Sequence, residues 1–108
     1  MRKELSKSTK IKALVEFLAL PKSRENLETV LETILTDKEI GKIYNRVKIL
    51  DSLDRGSSQR QTIDSIGGGI ATVTHGAQIT KSPKFKIFAG ILDEARLQTW
   101  WRKLFWRA

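Results

Sequence analysis

The chain has 108 residues, 40% hydrophobic and 30% charged, with a net charge of +8 and no cysteine. That length allows one small folded domain, residues 1–108, with a modest core; the absence of cysteine excludes disulfides, thiolate zinc sites and cysteine nucleophiles, and the lone His75 cannot build a histidine metal cluster. No apolar run nears the roughly 20 residues that cross a bilayer, and the polar start MRKELSKSTK has no apolar stretch of a secretory signal behind it, so the expected location is the cytoplasm.

Apolar residues recur at helical spacing along nearly the whole chain. Ile11, Leu14, Val15 and Leu18 fall at i, i+3, i+4 and i+7 and stop short of Pro21, which a helix does not pass easily. Leu27, Val30, Leu31 and Ile34 predict a second helix. Thr36 with Glu39 is a capping-box pair, the hydroxyl accepting from one amide while the carboxylate reaches back to another. It opens a third, longer helix whose apolar face runs Ile40, Ile43, Val47, Leu50 and Leu53. Gly56 is placed to end it in the left-handed region.

Ser58 and Gln61 repeat the capping pattern and start a short helix through Ile63 and Ile66. Three glycines follow, then Ile70 to Lys81, then Ser82-Pro83, which reads as N-cap and first residue of a last helix. IATVT is β-prone but short, and context overrides such propensity. The expected fold is all-α, with about six helices.

The segment IGGGIATVTHG, residues 66–76, admits three uses of its glycines. A Walker-type phosphate loop needs a Lys-Ser/Thr pair that is absent, and the dinucleotide fingerprint needs glycine where Thr72 stands. A floppy linker suits the flanking Ile66 and Ile70 poorly, since residues of that type are expected to pack on both sides. A tight turn between two helices remains, as in helix-turn-helix modules, over about residues 58–81. The second helix then presents small and hydroxyl side chains near its start. Ala and Thr methyls can touch thymine methyls in a major groove, and Arg60 can pair with guanine or phosphate.

These residues resemble the tryptophan repressor family. Its members read R-G-x-x-S-Q-R-E followed by L-G-x-G-I-A-T-I-T-R-G-S-N; here the stretch is RGSSQR, then IGGGIATVTHG, with LTDKE and NRVKIL upstream. The likeness covers roughly Leu35 to Lys81, with one residue missing between Gly56 and Ser58. It implies an intertwined all-helical homodimer that binds double-stranded operator DNA through two helix-turn-helix units. Matching DNA-contact positions are Gln59, Arg60, Ile70, Ala71, Thr72, Thr74 and Lys81, whereas the basic residue often found three after Arg60 is Ile63 here.

The resemblance also implies a small aromatic corepressor, L-tryptophan or a relative, rather than a catalytic cofactor or metal. The matching positions are Leu35 and Thr36 for carbonyls that hold the ligand ammonium, Arg46 for its carboxylate, and Gly76. Two positions depart from the pattern: His75 replaces a second arginine and Ile79 replaces a serine. An arginine fork binds a carboxylate bidentately, while a histidine offers at most one such bond. Losing a charged hydrogen bond costs about 1.5–3 kcal/mol, so a weakened or altered ligand preference is expected.

The end of the chain, residues 96–108, has no counterpart in the family pattern. Its three tryptophans and Phe105 alternate with Arg96, Arg102, Lys103 and Arg107, and residues 84–108 carry 6 basic against 2 acidic side chains, half of the net excess. Such a segment can extend the last helix, stack on nucleic acid or lie on an anionic membrane, the last disfavoured by its shortness. The competing reading of the whole protein is a helical dimeric scaffold whose tail mediates protein or membrane-surface contact. An enzyme is not expected: Asp51 and Asp54, three apart on a helix, suit a solvated face, and no nucleophile, base and orienting group can be assembled.

Overall fold

A computed structural model describes residues 4–67 and 69–106, which form seven helices and no strand. They are α1 (Lys7–Leu18), α2 (Arg24–Ile34), α3 (Asp37–Asp54), α4 (Gln59–Ile66), α5 (Ile70–Thr80), α6 (Phe85–Arg96) and α7 (Thr99–Phe105). The all-α expectation holds, with one helix more than the sequence pattern predicts. The chain divides into two compact units, one ending at Ile40 and the other beginning at Gly41, one turn into α3.

In the first unit, side chains set the helix starts. The Ser6 hydroxyl accepts from the Thr9 amide, and Ser23 does the same for Asn26, each satisfying a first-turn donor that has no partner within its own helix. The Thr36–Glu39 box forms as predicted: the Glu39 amide donates to the Thr36 hydroxyl at 3.2 Å and the Thr36 amide to the Glu39 carboxylate at 2.9 Å. Neither α1 nor α2 buries a single residue.

The second unit has its own core, in which Phe85, Leu92 and Trp101 are buried and Val47, Leu50, Phe88, Ala89 and Phe105 pack against them. On the other side of α3, Ile49 and Val73 are buried. Each aliphatic side chain so buried contributes about 1.5–3 kcal/mol. The deepest apolar residue of α3 is thus Ile49, outside the predicted apolar face, while Ile40 and Ile43 on that face stay exposed. The reason is that α3 is gripped from two sides in its second half, by α5 and by α6 with α7.

Gly56 ends α3 with a φ of 97°. Its amide donates to Leu53 and the Ser57 amide to Ser52, the paired bonds of a Schellman stop. Ser82-Pro83 does not cap a helix as predicted. The Phe85 amide donates to the Ser82 carbonyl, so Pro83 sits second in a tight turn and α6 begins two residues later at Phe85. The fixed φ of proline serves that turn position as well as a helix start, and the sequence pattern cannot separate the two.

Asp51 and Asp54 do not form a solvated face. Asp51 is fully buried, with Arg96 Nε donating to its Oδ1 at 2.8 Å, and Arg96 also donates to Asp54 Oδ2 at 2.9 Å. Arg55 Nε approaches the second Asp51 oxygen at 3.0 Å. Burial alone would lower the Arg96 pKa, but the hydrogen bonds and attraction of Asp51 and Asp54 outweigh it and hold the pKa above the ordinary arginine value. A raised pKa on a cation contributes stability that is fully present below its ordinary value, so Arg96 keeps its charge at every working pH.

Candidate nucleic-acid interface

Gly67 closes α4 with a φ of 81°, its amide donating to the Ile63 carbonyl at 2.8 Å. An L side chain is strained there, which is why glycine stands at this turn. Gly69 then caps α5 without a side-chain bond, and Gly68 lies outside the described residues. The Ser58–Gln61 capping box is complete at the start of α4. Helices α4 and α5 pack on one another across this turn, and the β-prone IATVT is the beginning of α5.

Beneath the pair, three contacts fix it to α3. Thr62 is fully buried, donating to the Ser58 carbonyl at 2.9 Å and sharing a 3.0 Å hydrogen bond with the Ser52 hydroxyl of α3. Val73 is fully buried on the inner face of α5. A Cβ added at Gly76 would lie 3.2 Å from Ile49 Cγ2 and 3.3 Å from Leu53 Cδ1. Only glycine lets α5 lie this close to α3 without displacing those methyls.

The outward side carries most of the predicted DNA-contact residues. Gln59, Arg60, Ala71 and Thr72 are exposed, and Ile70 is 72% exposed. The sequence expectation that Ile70 packs at the turn is therefore wrong; Ile66 alone is half-buried there. Thr74 is half-buried, and its hydroxyl donates to Gln59 Oε1 at 3.3 Å, bringing two predicted contact residues together across the turn. Lys81 is exposed at the far end of α5, roughly 16 Å along the axis from Ile70 at 1.5 Å per residue.

Four of the six predicted effector residues meet beside α5. Arg46, His75, Gly76 and Ile79 line a narrow cleft of about 50 Å³ together with Thr72, Ile49 and Leu50. A neighbouring cleft of about 330 Å³ shares Arg46, Ile49 and Thr72 and adds Lys42, Asn45 and Gly69. The wide part of this hollow therefore lies toward Arg46 and the start of α5, and the Ile79 end is too small for an aromatic ring. Leu35 and Thr36 belong to the first unit, between α2 and α3; the Thr36 carbonyl already accepts the Ile40 amide at 2.9 Å and keeps a second lone pair.

Sequence reasoning missed the Asp51–Arg96 pair, since 45 residues separate its partners and neither position shows a motif. It also missed Ser52–Thr62, whose only sequence signal is a hydroxyl on the inner face of each helix. Among the described residues no group of His, Asp and Glu is placed to hold a metal, and no helix is long and apolar enough to cross a membrane.

The fold and this surface define an all-helical protein whose central feature is a glycine-turned helix pair mounted on a long helix. Comparison with known proteins gives that class a family. The sequence profile of the Trp repressor protein matches residues 9–92, and the chain belongs to that family of regulatory, non-enzymatic proteins. It is similar to a Trp operon repressor homolog of Xylella fastidiosa, 27% identical over 85 residues that span 78% of this chain and 92% of the relative. A Trp operon repressor homolog of Vibrio campbellii is 36% identical over 70 residues, 64% of this chain and 70% of that protein. No solved structure matches.

Proposed function

We propose that the protein is a transcriptional repressor that binds double-stranded operator DNA as a homodimer through α4 and α5, under the control of a small aromatic effector. The observation that carries this is the α4–α5 pair itself. Thr62, Val73 and Gly76 anchor it from below, while Gln59, Arg60, Ile70, Ala71 and Thr72 face outward at its turn. Exposed Ile70 and the methyls of Ala71 and Thr72 suit a groove floor with thymine methyls. Arg60 supplies a guanidinium for guanine or phosphate, and the Thr74 bond holds the Gln59 amide in a defined direction. An operator-binding protein of this kind acts in the cytoplasm.

The homodimer is supported by what the single chain leaves uncovered. Ile11, Leu14, Val15 and Phe17 on α1, Leu31 and Ile34 on α2, and Ile40 and Ile43 on α3 are all exposed. Exposed apolar side chains in this number call for cover by another surface, and a two-fold pair of chains is the simplest such cover.

For the effector, the hollow beside α5 fits a carboxylate better than it fits an amino acid. Arg46 can hold a carboxylate bidentately, and Lys42 adds a second cation. His75 can give one further bond, whereas Ile79 offers none and narrows the cleft. We therefore expect L-tryptophan to bind about one to two decades more weakly than to a site with a second arginine, given about 1.5–3 kcal/mol for the lost charged bond. Calorimetric titration with L-tryptophan and with aromatic acids lacking the ammonium tests this, alongside His75→Arg. Ordinary micromolar L-tryptophan binding by the native protein, unchanged by His75→Arg, would contradict it.

A further inference from the structure

The residues after position 92 lie outside the family match, yet those described, 93–106, are folded into the second unit. Tyr44 donates to the Leu104 carbonyl at 2.6 Å and stacks on Phe105 at 4.8 Å, while Trp101 is buried against Phe105. Lys48 lies 4.8 Å and Arg55 5.9 Å from the Trp106 ring. α7 thus runs along the Tyr44–Lys48–Arg55 side of α3, opposite the side that carries α5. Its end stands at the corner where α3 passes into α4, since Trp106 lines a small polar hollow with Ser52, Arg55, Ser57 and Ser65.

Between α6 and α7 opens a cleft of about 870 Å³, lined by Arg96, Gln98, Thr99, Arg102, Lys103 and Trp106 among others, with no acidic side chain among its described lining residues. Arg96 is committed to Asp51, Asp54 and Asp93, and it stiffens one wall. Arg102 and Lys103 come from α7 and are exposed. Trp106 lines both hollows, so the α7 end of this basic cleft neighbours the corner that starts α4.

We propose that the α6–α7 cleft is a second DNA contact, in which Arg102 and Lys103 take phosphodiester groups of the duplex beside the α4–α5 footprint. This rests on the DNA-binding reading above and adds a partner surface to it. Guanidinium and ammonium groups without base-edge partners bind backbone phosphate irrespective of sequence. Docking α7 on α3 fixes these cations relative to α4, and a fixed cation loses less freedom on binding than one on a loose tail. The outward apolar stripe of Leu97, Trp100 and Leu104 leaves an anionic membrane as the competing partner.

The test compares the native protein with the double variant Arg102→Gln, Lys103→Gln, two surface changes that leave Trp101, Phe105 and Trp106 in place. Affinity is measured by fluorescence anisotropy against salt on a long operator duplex selected from random sequence and on a scrambled duplex. The variant is expected to lower the slope of log K against log salt by about 1–2 on both duplexes, about 0.9 per phosphate lost, with the operator-to-scrambled ratio unchanged. Equal slopes for the two proteins would overturn the proposal. So would a variant that loses binding to phosphatidylserine vesicles while keeping the native DNA slope. A slope difference without operator preference in either protein would remove the operator reading and leave the tail contact standing.

Discussion

The helices before Ile40 and those after Gly41 carry apolar residues at the same helical spacing, but they use them differently. α1 and α2 bury nothing, although Leu14, Val15, Leu31 and Ile34 occupy the positions a core would take. The later helices bury Ile49, Val73, Phe85, Leu92 and Trp101 within one chain. Helical pattern therefore announces a face that needs covering, and it does not say whose residues cover it. In the second unit, the chain's own α5, α6 and α7 supply the cover for α3. In the first, the proposed partner chain does.

The largest effect is expected where the second unit would be made to resemble the first. Trp101→Ala removes the aromatic that joins α7 to the Phe85–Leu92 core and should cost about 3–5 kcal/mol in denaturant unfolding. A loss below 1 kcal/mol would mean that α7 is not part of that core. Next comes Arg96→Met, which keeps the side-chain bulk but leaves Asp51 buried with Arg55 as its remaining cation. Breaking a buried pair costs about 3–5 kcal/mol; with Arg55 still present and Arg96 partly exposed, about 2–3 kcal/mol is expected from the same melts.

The opposite test treats the first unit as if it were a finished surface. Leu14→Asp at a true surface position should change stability by no more than about 0.5 kcal/mol. In a homodimer that buries Leu14 it should cost about 1–3 kcal/mol, and the unfolding midpoint of the native protein should rise with concentration. The smallest change is Tyr44→Phe, which keeps the stacking on Phe105 and deletes one bond to Leu104. Thermal melts should show a loss of about 0.5–1.5 kcal/mol.

Much of this fold is written locally, and those parts are legible in the sequence. The Thr36–Glu39 and Ser58–Gln61 boxes, the Gly56 stop and the glycine turn each depend on residues within a few positions of one another. What sequence spacing hides is long-range. Asp51 looks solvated until Arg96 arrives from 45 residues away, and Ile49 is buried because α5 and not the partner of the predicted face lies over it. Ile70 looks like packing and is exposed, since at the first position of α5 nothing in its own chain reaches it. Of the candidate site, Arg46, His75, Gly76 and Ile79 do converge, because family spacing preserves which turns of α3 and α5 face each other. Tail order was invisible for the converse reason: its anchors, Tyr44 and Lys48, lie on another helix.

Operator reading by the exposed turn face of α4 and α5 is the proposed function on which the rest depends. It is tested most directly by anisotropy titration of a palindromic duplex, selected from random sequence, with the native protein and Arg60→Ala. Two chains per duplex are expected, with a preference of at least about 10³ over scrambled DNA, and a loss of about 1–3 kcal/mol for Arg60→Ala with relaxed selectivity at one base position. Equal affinity for selected and scrambled duplexes, or an Arg60→Ala variant that binds as the native protein does, would contradict it.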